Sequence, residues 1–335
     1  MKAVILKAPG GVENLEFADV EAPVPGAEEV RIRVRAAGFN PSDYKMRQAG
    51  VPVEHGPTIL GAEVAGVIDA VGDHVTEFRI GESVCAYLAI KRGGYAEAVC
   101  CHSAFVAPKP ENLSFMQAAA IPLAALTALT CFGRGAPFPT LLFVAGGSGG
   151  VGSFAIGLAR AEGVSLLVTT AGSDSSVRYL TQTLGLSADS IVRYDTIQER
   201  QLASHIRAMN GGKRFPIVLD FVGARMLTLC CELVDFDGWV TSIVHRPGSD
   251  DQEVLSRKCA AFRFVGLRAR AQHGDPSTWL EYGRDLRRIL DLVSQNRVRL
   301  PQIESIGVLS TETVRAAHRL LEGRHVQGKL VMEVP

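Results

Sequence analysis

Between residues 140 and 163 the chain reads as a short apolar run, TLLFVAG. The glycine-rich GSGGVG follows, and then SFAIGLARAEG with helical spacing. Gly147, Gly149 and Gly152 spell G-x-G-x-x-G, and the flanking strand and helix are the context in which that spacing carries meaning. The first glycine permits a tight turn. The second lets the backbone approach a pyrophosphate, and the third lets the helix pack close to the strand. The helix N-terminus over Gly150 and Val151 then offers unpaired N–H groups to phosphate. Two other readings stand beside this one. Gly146, Ser148 and Gly150 also fit G-x-S-x-G, the nucleophile elbow of a serine hydrolase, with His205, His245, His273, His318 and His325 available downstream. The glycines can also serve packing alone. The elbow has no use for Gly152, and hydrolase sheets usually start near the N-terminus, whereas a long β-rich stretch comes first here.

That stretch covers about the first 120 residues. VRIRVRAAG alternates charged and apolar residues as a half-buried strand does, and AEVAGVIDAVG, SVCAYLAI and GYAEAVCC follow between glycine-rich turns. After residue 123 the pattern alternates. TLLFVAG, SLLVTT, SIVRY, FPIVLDFVG, GWVTSIV and FRFVGL read as buried strands with helices among them, which predicts a doubly wound parallel sheet. From about Arg270 two helices (TWLEYGRDLRRILDLVSQN and TETVRAAHRLLEG) and a last strand (GKLVMEV) are expected to return to the first domain. The boundaries are therefore 1–122 with 268–335, and 123–267.

Composition narrows the function classes. The 335 residues carry 35 Lys plus Arg against 35 Asp plus Glu, so no basic excess points to nucleic acid or an anionic membrane. The opening MKAVILKAPGG is too short in its apolar run for a signal peptide and reads as a strand. The uncharged stretch Leu113 to Gly133 contains Pro122 and reads as a buried, broken helix rather than a membrane span. Seven cysteines, without a C-x-x-C pair, are expected to be reduced core residues of a cytoplasmic protein. Cys100, Cys101 and His102 invite a metal reading, but adjacent strand residues point to opposite faces. A small-molecule partner fits best.

AAGFNPSDYKMR concentrates polar chemistry. Asn40, Ser42, Asp43, Tyr44 and Lys45 follow an apolar lead-in. Asn40 either holds a substrate or cofactor oxygen or forms the turn before Pro41. Tyr44 either lines a pocket or donates a proton from its hydroxyl, or else simply packs. Asp43 either orients Lys45 or caps a helix.

Together MKAVILKAPGG, AAGFNPSDYK, GAEVAGVIDAVGDHVTEFRIGESV, GGYAEAV, PLAALTALTCF, AGGSGGVG and GKLVMEV resemble the medium-chain dehydrogenase/reductase superfamily over nearly the whole chain. The likeness is greatest to its quinone oxidoreductase and enone reductase branch. The resemblance implies an α/β fold, a Rossmann doubly wound parallel sheet plus a β-rich GroES-like catalytic domain. It implies NADPH-dependent reduction of a quinone or α,β-unsaturated carbonyl, and dimers or tetramers, for which FRFVGL offers an edge strand. A non-catalytic NADPH-binding role is the alternative, since a crystallin belongs to the branch.

It also bears on metal. Zinc members keep ligands where this chain has Asn40, Ala62 and Leu123, and a four-cysteine lobe where it runs from Lys91-Arg92 straight to GGYAEAV. A catalytic zinc needs three protein ligands and a structural one four. No metal is expected, and Glu63 is expected to pair with Lys329. By the same resemblance, Ser42 stands at a relay hydroxyl, Lys45 at a relay histidine, Thr127 at the nicotinamide, and Tyr194 near the adenosine. Strand ends should line the cofactor at Phe221, Val222, Ser242, Ile243 and Val265, and Lys329 is counted among its contacts. The strand SLLVTT ends at Thr170 and Ala171 where NAD-binding domains keep an acid. Ser173 and Arg178 nearby suit a 2′-phosphate, and Asp174 argues the other way.

Overall fold

The computed structural model describes residues 1–50, 57–91, 93–133, 137–323 and 326–335. The backbone clusters into two units, Met1–Leu126 with Arg268–Ser294 and Gln302–Pro335, and Thr127–Leu267 with Gln295–Pro301.

In the second unit six parallel strands form one sheet. Their spatial order is Ile191–Arg193, Leu166–Ala171, Leu141–Ala145, Phe215–Asp220, Val234–Ser242, Ala261–Phe264. All six expected strands are present. The first in sequence is central, so strand order reverses between Leu141–Ala145 and Phe215–Asp220, where doubly wound sheets bind ligands. The core includes Phe143, Val168, Phe215, Val218 and Val240, nearly all with no exposed surface.

The first unit is β-rich. The strand Glu29–Phe39 is central to a seven-stranded sheet, pairing antiparallel with Glu63–Val71, Ala98–His102 and Lys329–Glu333. It alternates buried and partly exposed residues up to Arg35, then is buried throughout from Ala36 to Phe39. Pro41 stops the strand, having no N–H to give the ladder, and starts the helix Pro41–Ala49, which ends on Gly50 at φ +85°. The helices Leu280–Ser294 and Thr311–Glu322 belong to this unit.

The uncharged stretch becomes two helices, Phe115–Ala119 and Pro122–Cys131, with the break before Pro122. Among the described residues no helix is long and apolar enough to cross a membrane. Six cysteines are buried and unpaired. Cys259 is exposed, against expectation, because it lies at φ +52° in the turn after the helix Ser249–Arg257.

Candidate functional site

The glycine-rich turn lies between the strand Leu141–Ala145 and the helix Gly150–Ala161. Its three motif glycines are crowded to different degrees. A Cβ on Gly147 would meet Thr169 Oγ1 at 2.3 Å and Ile156 Cδ1 at 2.7 Å. On Gly152 it would meet the Gly146 carbonyl oxygen at 2.2 Å. On Gly149 it would meet nothing closer than that same oxygen at 3.6 Å, an ordinary contact. The fold itself therefore demands glycine at Gly147 and Gly152 and leaves space beside Gly149. Gly149 is the N-cap residue of the helix, and no side chain caps it. Ser148, Gly150 and Val151 are half-buried around this open end. The donor set fits a pyrophosphate: backbone N–H groups, a helix N-terminus and room for close approach.

Surrounding bonds hold the turn. Ser153 Oγ lies 2.8 Å from the Gly149 carbonyl oxygen and 2.9 Å from the Tyr179 hydroxyl. Thr170 Oγ1 accepts from the Gly146 N–H at 3.2 Å. Ser148 is not among the residues with positive φ, and it hydrogen-bonds no histidine among the described residues. Among the described residues the strained, histidine-activated serine of a hydrolase elbow is not built. His325, one of its candidate partners, lies outside the described residues.

Beyond the next strand, Ser173 caps a short helix. Its Oγ accepts from the Ser176 N–H and lies 2.9 Å from Ser175 Oγ and 3.1 Å from Ser176 Oγ. Tyr194 is folded over Gly172, and the Arg225 guanidinium sits over the Tyr194 ring at 5.6 Å. Arg178 is exposed in the last turn of that helix. Asp174 is bound by Arg193, which also holds Asp195 at 2.6 Å. Sequence reasoning misses Arg225, because nothing local marks it.

At the switch point a missed residue, Asp220, organises two expected lining segments. Its Oδ1 accepts from the Val222 and Gly223 N–H groups at 3.0 and 2.8 Å. Its Oδ2 accepts from the Ser242 hydroxyl at 2.7 Å. Ser242 Oγ in turn accepts from the Val244 N–H at 3.2 Å. Phe221 and Ile243 are half-buried, Val222 is exposed and Val265 is buried. An acid inside the apolar run FPIVLDFVG is the signal that marks Asp220. Thr127 is buried on the helix Pro122–Cys131.

The polar stretch of the first unit forms a second centre. The Asn40 amide does not cap its helix. Its Nδ2 donates to Glu63 Oε1 at 2.7 Å and its Oδ1 accepts from Lys329 Nζ at 2.6 Å. Lys329 Nζ also donates to Glu63 Oε1 at 2.5 Å and to the Phe39 carbonyl at 3.1 Å. The Leu123 N–H donates to Glu63 Oε2 at 2.7 Å. The expected Glu63–Lys329 pair is thus present and fully buried. The expected contact of Lys329 with a cofactor is corrected, since its three N–H donors all end on protein oxygens.

Asp43 is the helix cap, accepting the Asn40 N–H at 2.9 Å. Tyr44 is 8% exposed and packed in the hydrophobic core, so its ring serves packing. Ser42 Oγ is buried and has no hydrogen-bond partner among the described residues. Lys45 is exposed. At the three zinc-ligand positions stand an amide committed to an ion pair, a methyl and an apolar side chain. Among the described residues no group of three His, Cys, Asp or Glu is arranged to hold a metal.

Comparison with known proteins adds to this geometry. Residues 26–111 match the alcohol dehydrogenase GroES-like domain, and residues 186–332 match a zinc-binding dehydrogenase domain. The chain is 36% identical to a quinone oxidoreductase of Pseudomonas aeruginosa over 227 residues, 66% of either protein. It is similar to the structure of an NAD-dependent alcohol dehydrogenase, with 31% identity, a TM-score of 0.82 and full coverage of both chains. It is also similar to a mycobacterial protein complexed with NADPH, with 25% identity, a TM-score of 0.83, and coverage of 99% and 100%.

Proposed function

This chain belongs to the medium-chain dehydrogenase/reductase superfamily, and from that premise we propose that it is a zinc-independent oxidoreductase using NADPH to reduce quinones or α,β-unsaturated carbonyls. The observation that carries the proposal is the unequal crowding of the motif glycines. Protein packing explains Gly147 and Gly152 but not Gly149, whose open side at an uncapped helix end suits the close approach of a phosphate. Two features favour NADPH over NADH. The strand before Ser173 ends in Thr170 and Ala171 rather than an acid, and Asp174 is already held by Arg193. The serine hydroxyls at Ser173, Ser175 and Ser176, with Arg178 at the end of their helix, suit a phosphate. Tyr194 with Arg225 over its ring suits stacking beside the adenine, which either cofactor carries.

The case against zinc rests on charge. Glu63 is already neutralised by a buried lysine, and the Asn40 amide is spent on that pair. Without a Lewis acid the protein is poorly equipped to polarise a simple ketone. It suits acceptors that are electrophilic by conjugation. Bound NADPH supplies the hydride. The chain's part is to orient the acceptor and to stabilise or protonate the oxygen on which charge develops. Ser42 Oγ, buried and without a partner among the described residues, is our candidate donor, with Lys45 three residues further along as a positive charge. The edge strand Ala261–Phe264 suits pairing with a second copy, and the buried thiols suit a reducing, cytoplasmic setting.

The test is NADPH oxidation by purified protein against quinones and enones, before and after chelator treatment, with elemental analysis. Expected are turnover, far less than one zinc per chain, and no effect of chelation. Stoichiometric zinc that supports activity overturns the metal-free reading. Oxidation of simple alcohols, with every conjugated acceptor ignored, overturns the reaction class.

A further inference from the structure

Five buried or half-buried polar side chains in the first unit form a chain that the proposed reaction does not use. Arg47, 1% exposed on the helix Pro41–Ala49, donates from Nε to His318 Nδ1 at 3.2 Å. It also donates to the Gly10 carbonyl and to Glu322. His318 lies on the helix Thr311–Glu322 with no exposed surface. Its Nε2 faces the Tyr95 hydroxyl oxygen at 3.4 Å, and the Tyr95 hydroxyl donates to Asp43 Oδ2 at 3.1 Å. Asp43 Oδ2 is the atom that caps the Asn40 N–H.

The direction of every bond follows from its first member. Arginine only donates, so His318 Nδ1 must be an acceptor and carries no hydrogen. The ring proton is then on Nε2 and points at the Tyr95 oxygen. This frees the Tyr95 hydrogen for the carboxylate. Burial and the Arg47 charge push His318 down to about 3, so the ring is neutral at ordinary pH. A neutral ring is the only form that can accept from Arg47 and donate to Tyr95 together. The chain cannot conduct protons, because guanidinium does not give one up. What it can transmit is orientation.

We propose that His318 and Tyr95 are positioning residues, which fix Asp43 and through it the turn Asn40–Asp43 that carries the candidate donor Ser42. The Asn40 side chain is committed to Glu63 and Lys329, so the helix start depends on the Asp43 carboxylate for its side-chain cap. The effect on turnover rests on the reductase reading above, but the effect on the turn does not.

The experiment separates the two ends of the histidine. Glutamine places its amide near the Nε2 position and keeps a donor for Tyr95. Asparagine reaches only the Nδ1 position and keeps an acceptor for Arg47. Tyr95→Phe, His318→Gln and His318→Asn are compared by kcat, by KM for NADPH, and by amide hydrogen exchange at Asn40. Tyr95→Phe and His318→Asn are expected to lower kcat about five- to tenfold, the factor carried by one hydrogen bond of ordinary net strength. KM for NADPH should stay unchanged, exchange at Asn40 should rise by a similar factor, and His318→Gln should recover both. Wild-type kcat and Asn40 exchange in Tyr95→Phe overturn the proposal. So does recovery by His318→Asn and not by His318→Gln, since the histidine then serves only to hold Arg47. If the wild type reduces no quinone or enone, the reductase reading falls, and Asn40 exchange alone still decides this one.

Discussion

Gly149→Ala separates binding from folding. The added methyl finds only the Gly146 carbonyl oxygen, at 3.6 Å, and the residue already has φ −78° and ψ 169°, which alanine adopts freely. Alanine is a poorer N-cap than glycine by a fraction of ~1 kcal/mol, and the stiffer unfolded chain returns ~0.4–1 kcal/mol. The two nearly cancel. The melting temperature should therefore move by no more than about 2–3 °C, given ~2–4 °C per kcal/mol for a unit of this size. Gly152→Ala is the contrast. Its methyl would sit 2.2 Å from a backbone oxygen, which forces the turn apart at ~1–3 kcal/mol or more. The methyl of Gly149→Ala instead occupies the space offered to the pyrophosphate. Losing one charge-assisted hydrogen bond of ~1.5–3 kcal/mol raises Kd for NADPH by roughly 10- to 100-fold. Titration of the reduced nicotinamide's fluorescence, alongside a thermal melt, reads both quantities. Wild-type affinity in Gly149→Ala refutes the assignment of the pyrophosphate. A large loss of melting temperature refutes the packing argument.

The buried histidine predicts a pH dependence of stability. His318 has an ordinary value of 6.5 and is held at about 3 when folded, so the unfolded chain binds the extra proton between those values and stability falls as pH drops through that window. Between pH 7 and 5 the loss is about 2 kcal/mol, and urea unfolding of His318→Gln should lack that component. Lys258 Nζ donates to the carbonyls of Cys231, Glu232 and Val234 at 2.8, 2.8 and 3.1 Å, closing the end of the helix Arg225–Leu233. Lys258→Met leaves these oxygens unpaired and should cost ~2–4 kcal/mol by the same assay, and an unchanged midpoint counts against that role. Asp220→Asn, which keeps an acceptor for the two N–H groups, should bind NADPH within about threefold of wild type, whereas Asp220→Leu should lose about tenfold or more. Equal affinities in the two variants contradict its role in ordering the lining segments.

What the sequence reveals here is what short spacing determines. The glycine turn is legible because strand, turn and helix are contiguous, and the six parallel strands because each is a short apolar run with punctuation. The Pro41 helix start and its Asp43 cap lie within four residues of each other. Resemblance extends this reach to Glu63 and Lys329, 266 residues apart. Yet it also assigns Lys329 to the cofactor, because a residue's place in an alignment does not reveal how many of its donors are already engaged. Tyr44 is similar. Its neighbours in sequence are polar, and only the packed core shows which way the ring points.

The residues that sequence reasoning misses share a physical reason. Arg47 and His318 are 271 positions apart, and each alone reads as an ordinary surface residue on an amphipathic helix. Tyr95, in GGYAEAV, is indistinguishable from a core aromatic until its hydroxyl is seen to face Asp43. Such groups leave no periodic signal, because their place is set by the need to satisfy one another and not by an apolar face. Asp220 is the exception that shows where to look. A carboxylate within a strand of otherwise buried residues must have donors waiting for it, and here they are the backbone N–H groups of Val222 and Gly223 and the hydroxyl of Ser242 at the switch point. A charged residue inside an apolar run is thus legible as a demand for partners before any of those partners can be named.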